Sequence, residues 1–167
     1  MGLLVLYIAA LLAASVHTIV RRSTLSRQTT VERFLLYLFA FSYGLGGLLG
    51  FIAHGLNPEE QARRIGWPPH PQFQFELGSF ELGLGIAAFL CLFIRDRYYW
   101  LGVAIIPTPA SLMAGGLHIY EVLEKGNFAR DNVSVIVPDL LVPLTVLGLI
   151  WYYFRLMSKS SEKSRTA

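Results

Sequence analysis

The chain has one cysteine, Cys91, so no disulfide can close within it, and the residue reads most simply as a small buried hydrophobe. Charge is scarce: Asp, Glu, Lys and Arg make up 15% of the 167 residues, where a soluble domain carries about 25%. No Gly-x-Ser-x-Gly elbow, phosphate-binding loop or Cys/His cluster occurs, which removes the commonest nucleophile, nucleotide and structural-zinc signatures. No stripe of Lys and Arg interleaved with aromatics occurs either. The net charge of +3 therefore does not point to nucleic acid, and no internal repeat is visible.

What is present is apolar length. Runs at about residues 2–20, 34–53, 75–94, 101–123 and 133–157 each have the roughly 20 residues that a helix needs to cross a hydrocarbon core. They are too long and continuous for the short alternating strands of a membrane barrel. The expectation is one all-α integral membrane bundle of five transmembrane helices over residues 1–157. A disordered cytoplasmic tail is expected over 158–167.

The first run has no basic residue before it and carries Arg21 and Arg22 after it, the pattern of an uncleaved span rather than a signal peptide. Leu6 stands where a myristoylation signal needs Ser or Thr. If five helices alternate, Arg21, Arg22, Arg27, Arg33, Arg95, Arg97 and the tail residues Arg155, Lys159, Lys163 and Arg165 share one side. The other side has Arg63, Arg64, Lys125 and Arg130, offset by Glu59, Glu60, Glu124 and Asp131. The positive-inside rule then places the amino terminus outside and the carboxyl terminus inside. Tyr98, Tyr99, Trp100 and the 151–154 aromatics mark the inner interface, and Trp67 the outer loop. The expected location is a cell membrane, as a multi-pass protein of a prokaryotic inner membrane. In the second linker, Asn57 as cap, Pro58 at the first helical position and Glu59 and Glu60 in the first turn predict a short interfacial helix over 58–65.

Ionisable residues inside the spans gather near the predicted outer face. Residues at i, i+3, i+4 and i+7 share one side of a helix. Tyr43, Gly47, Gly50 and His54 align, as do Gln74, Gly78, Glu81 and Gly85, and Ser111, Gly115, His118 and Val122. Small residues mark helix contacts in membranes, so His54, Glu81 and His118 should each face other helices. Asp139 joins from the last span, between Pro138 and Pro143. A charged residue in a span costs roughly 2.5–3.5 kcal/mol on insertion scales, which calls for partners or a purpose. Glu76 diverges from Glu81 by about 140° around the axis and is expected to pair with Arg63 or Arg64 instead. His17 and His70 lie away from the group.

His118 and Glu121 form a His-x-x-Glu pair, which sets imidazole and carboxylate side by side. His54, Glu81, His118, Glu121 and Asp139 together are suitable ligands for a divalent transition metal, Fe, Mn or Zn. In that reading the metal would activate water or oxygen if the site is catalytic. Asp/Glu/His groups also serve proton relays, so a proton- or ion-coupled transporter, or an accessory subunit of a membrane complex, is the rival. The bland alternative is a set of interhelical bonds that only fixes the bundle. Beyond the bilayer, the partner expected for a subunit is a second copy or a larger membrane complex.

Ile65-Gly66-Trp67-Pro68 with Gln72-Phe73-Gln74-Phe75-Glu76-Leu77-Gly78, then His118, Gly126-Asn127-Phe128-Ala129 and Asp139, resembles the signature of an uncharacterised family of small prokaryotic polytopic membrane proteins. The resemblance covers roughly residues 44–143. It implies a helical membrane fold and no established activity, and it adds Gln74, Glu76 and Asn127 as supporting positions. Asn127 is otherwise a plain turn former in Gly-Asn.

Overall fold

A computed structural model describes residues 2–21 and 25–166, with side chains described as far as Lys159. Arg22 and the side chains of Lys163 and Arg165 lie outside the described residues. Every regular element among those residues is helical: α1 (Gly2–Val20), α2 (Arg27–Gly55), α3 (Pro58–Ile65), α4 (Pro71–Leu90), α5 (Arg97–Ile105), α6 (Thr108–Lys125) and α7 (Arg130–Thr166). Five spans, α1, α2, α4, α5 with α6, and α7, are long and apolar enough to cross a membrane.

The boundaries follow local chemistry. Ser26 caps α2 by accepting from the Thr29 amide at 3.1 Å, and Asp96 caps α5 by accepting from the Tyr98 and Tyr99 amides at 2.9 and 2.8 Å. The third span starts at Pro71 and stops at Leu90, several residues before the expected limits at both ends. Pro71 suits a first helical turn, and the Trp100 indole donates to the freed carbonyls of Cys91 and Ile94 at 3.2 and 2.8 Å. The fourth span is broken between α5 and α6, because Pro107 and Pro109 have no N–H for the helical ladder; the Thr108 hydroxyl donates to the Ala104 carbonyl instead. The expected interfacial helix forms as α3, but Asn57 turns back to donate to Ile52 O at 2.8 Å and leaves the cap unmade. α7 continues past Met157 to Thr166, where composition suggests disorder, as extension of a nucleated helix costs little.

α2 departs most from regular geometry. It is π-helical over Phe39–Leu45 and again over Phe51–Gly55, with one α-turn between. Each π turn inserts a residue and rotates the rest of the helix about its axis. α2 meets α4 along a glycine seam. A Cβ on Gly47 would lie 2.5 Å from the Glu81 carbonyl oxygen, and one on Gly78 would collide with the Gly55 nitrogen. This is the small-residue contact that the spacing of Gly47, Gly78 and Gly85 predicts.

α6 lies along α7, α5 and α1 also pack on α7, and α3 rests on α4, α7 and the end of α2. The bundle therefore has two unlike ends. Around Trp100 the core is apolar: Leu35, Leu38, Phe39 and Val146 are fully buried, and Phe39 and Tyr153 pack against the Trp100 ring at 6.1 and 5.7 Å. The polar groups lie toward the other end, marked by His54.

Candidate functional site

The residues grouped from sequence fall into two sets. One set ties the helices together. His118, on α6, is buried and donates from Nδ1 to the Asn132 side-chain oxygen at 2.7 Å. The carbonyls around the other end of that amide fix its orientation: Asn132 Nδ2 donates to Asn127 O at 2.8 Å and to His118 O at 3.4 Å. Asn127 in turn donates to Ile65 O at 2.9 Å and more weakly to Glu121, and it accepts from the Ala129 amide. Trp67 stacks on the His118 ring at 5.5 Å, and Arg64 pairs with Asp131 at 2.8 Å. Together these contacts fasten α3 and its adjoining loop to α6 and α7. His54 finds its own partner, the Gln74 amide oxygen on α4. Its Nδ1 must therefore donate, as does that of His118.

Glu76 does not take the expected pairing. It is exposed, Arg63 pairs with Glu60 at 2.5 Å, and Arg64 is engaged by Asp131. Glu121 is held only through Asn127 and lines neither of the two cavities at this end of the bundle.

The other set surrounds empty space. Glu81 and Asp139 line a cavity of about 100 Å3 with Ser42, Tyr43, Ser111 and Pro138. Gly50 makes room for the Glu81 carboxyl, since a Cβ there would come within 2.5 Å of its Cδ. Gly115 lets α6 lie close to this part of α7, since a Cβ there would come 2.9 Å from Leu140 Cδ2 and 3.3 Å from Asp139 Cβ. Pro143 has no N–H to give the Asp139 carbonyl four residues back, so that oxygen lacks its ordinary helical donor. Three oxygens at this cavity have no partner among the described residues: Ser42 Oγ, Tyr43 Oη and Glu81 Oε2. Ser42 and Tyr43 are more than nine-tenths buried. More than 90% of buried polar groups in native structures are paired, so three convergent exceptions mark a place for a guest or for water.

Glu81 also lines a second cavity of about 510 Å3, which reaches the His54 end past Asn57, Gln61, Arg64 and Asp131. The structure thus brings Glu81 and Asp139 together, keeps His54 at the wider cavity, and sends His118 and Glu121 into the helix-tying network. Among the described residues no group of three or more His, Cys, Asp or Glu side chains is placed to hold a metal ion.

A family described as a family of unknown function, DUF6790, matches the chain over residues 1–159. The chain belongs to that family. No curated protein and no solved structure matches it. For this DUF6790 member the site must accordingly be read from its own chemistry. Sequence reasoning missed Asn132, although it lies seven residues before Asp139 and so on the same side of α7. It also missed Ser42, and it read Tyr43 only as part of a packing stripe. Their signal, two hydroxyl groups beside a glycine stripe facing an acidic residue, is visible once α2 is paired with α4.

Proposed function

We propose that this protein is a multi-pass cell-membrane protein, amino terminus outside, that binds a small hydrogen-bond-donating cation between Glu81 and Asp139. The ligand reaches them from the extracytoplasmic side. The observation that carries this reading is the convergence of three unpartnered oxygens on a cavity that holds two carboxyl groups and no basic side chain in its lining. Buried carboxylates are costly unless paired, and an ammonium-type ligand supplies both the charge and the donors that Ser42, Tyr43 and Glu81 leave unused. The apolar layer of Phe39, Trp100 and Val146 lies beyond the cavity, which favours binding from one side over a conduit through the bundle.

A divalent metal has less support. Both histidines donate from Nδ1 and keep Nε2 free, the state a metal ligand needs. Yet His118 is committed to the Asn132 network and to Trp67, and Glu121 faces Asn127.

Thermal unfolding of the purified protein in nanodiscs tests the reading with methylammonium as probe. Saturation should raise stability, by about 2.7 kcal/mol at a hundred times Kd. The rise should disappear in Glu81→Gln and fall in Asp139→Asn. A rise that persists in Glu81→Gln, or none in the native chain, overturns it, and stabilisation by Zn2+ or Mn2+ alone restores the metal. Reporter fusions on the two termini test the orientation and should fall on opposite sides.

A further inference from the structure

The wider cavity is lined by residues of two kinds. His54, Asn57, Gln61, Arg64 and Asp131 are polar. Gly2, Leu3, Leu49, Ile52 and Val135 are apolar. Leu49 and Ile52 are 47% and 48% exposed, and in a membrane span such side chains meet lipid. A cavity that they line opens sideways into the bilayer.

The packing of α1 explains the opening. Near its His17 end α1 is fastened to α2, as the His17 ring meets the Tyr37 hydroxyl at 3.2 Å and Arg33 donates to His17 O at 3.0 Å. Ala10 and Ala14 are fully buried, and Tyr7 bonds Thr145 on α7 at 2.9 Å. Toward Gly2 the contacts with α2 thin out, and no described residue before Ala10 is buried. Gly2 and Leu3 of α1 and Leu49 and Ile52 of α2 line one cavity at that end. Leu3 and Glu81 are the residues that line both cavities, one at the apolar mouth and one at the polar floor.

We infer that the guest of the Glu81 site is a membrane-dissolved amphiphile with an ammonium head, which arrives sideways between the first turn of α1 and α2. This rests on cation binding at Glu81 and adds the class of ligand and its route. The head meets Glu81, where the Ser42 and Tyr43 hydroxyls are unpartnered, and the chain lies along Leu3, Leu49 and Ile52. Charge supports a cation over an anion: of the acids that border the wider cavity, Glu60 pairs with Arg63 and Asp131 with Arg64, which leaves Glu81 as the one with no ion pair among the described residues. The volume of about 510 Å3 falls in the range of small-molecule sites.

The test uses the full chain in nanodiscs and three probes: a dodecylamine with a photoreactive diazirine in its tail, the matching dodecanol, and methylammonium. Irradiation with the amine should label peptides containing Leu3, Leu49 and Ile52. Yield should exceed that of the alcohol and fall about tenfold, equivalent to ~1.4 kcal/mol, in Glu81→Gln. Ile52→Trp, which borders the wider cavity and not the Glu81–Asp139 cavity, should block the opening and cut labelling while methylammonium still stabilises the protein. Leu49→Trp, on the same lipid-facing wall, repeats the block should Ile52→Trp disturb folding. Equal labelling by alcohol and amine, or labelling indifferent to both tryptophans, overturns the amphiphile while leaving the Glu81 site intact. If methylammonium also fails to stabilise the native chain, the Glu81 site itself falls.

Discussion

Two polar regions lie within a few turns of each other, and they treat their hydrogen bonds in opposite ways. Around Asn132 the donors and acceptors described are matched: His118, Asn127, Ile65 O and the Asn132 amide form one chain of bonds. Around Glu81, three oxygens are left over. A satisfied buried network rigidifies and specifies a structure, whereas unsatisfied groups cost stability unless something else completes them. The first region is built to hold α3, α6 and α7 together. The second is where the proposed cation would sit. Fastening falls to His118, Asn127 and Asn132, and in the proposed reading binding falls to Glu81 and Asp139.

Mutation should separate the two. The largest effect is expected at Asn132, because Asn132→Leu strands the His118 Nδ1–H and the Asn127 carbonyl in a buried setting at roughly 1–3 kcal/mol each. Unfolding in nanodiscs should show a loss of about 3 kcal/mol, and a change under about 1 kcal/mol would remove the network from its fastening role. Gly47→Ala comes next. Its added Cβ would lie 2.5 Å from the Glu81 carbonyl oxygen and 2.8 Å from the Gly85 nitrogen, both backbone atoms that cannot swing aside. A loss of about 1–3 kcal/mol is expected from overpacking, and a stability equal to the native chain would mean that the α2–α4 seam is loose.

Asp131→Asn should cost less, about 1 kcal/mol or under, since the side chain of its partner Arg64 is 46% exposed and solvent screens the pair. Limited proteolysis would register the change as faster cutting around α3, and unchanged cutting would show that Asn127 and Trp67 hold this element without the ion pair. Ser42→Ala should have the smallest effect. Its hydroxyl makes no bond, so stability without ligand should stay within about 0.5 kcal/mol of native. A cost of about 2 kcal/mol would reveal a partner for Ser42 and weaken the contrast between the regions.

Much of this was legible in the chain. Apolar length marked the five spans, and the short helix after Asn57 was written in local residues. The glycine spacings of α2 and α4 announced which faces meet, because a backbone can approach another closely only where no Cβ intervenes. The candidate site was half legible. Glu81 and Asp139 could be picked as costly acids within spans, and one-dimensional spacing then grouped them with every nearby imidazole. It could not show that Asn132 and Gln74 would claim His118 and His54.

What the sequence determined by itself is therefore the five apolar spans, the short helix after Asn57 and the glycine faces on which α2 and α4 meet, consequences of local backbone preference and side-chain size. The tertiary structure alone decided which polar groups are completed by neighbours and which are left open to a cavity. A hydrogen bond depends on distances of about 3 Å between residues far apart in the chain, which no local spacing fixes.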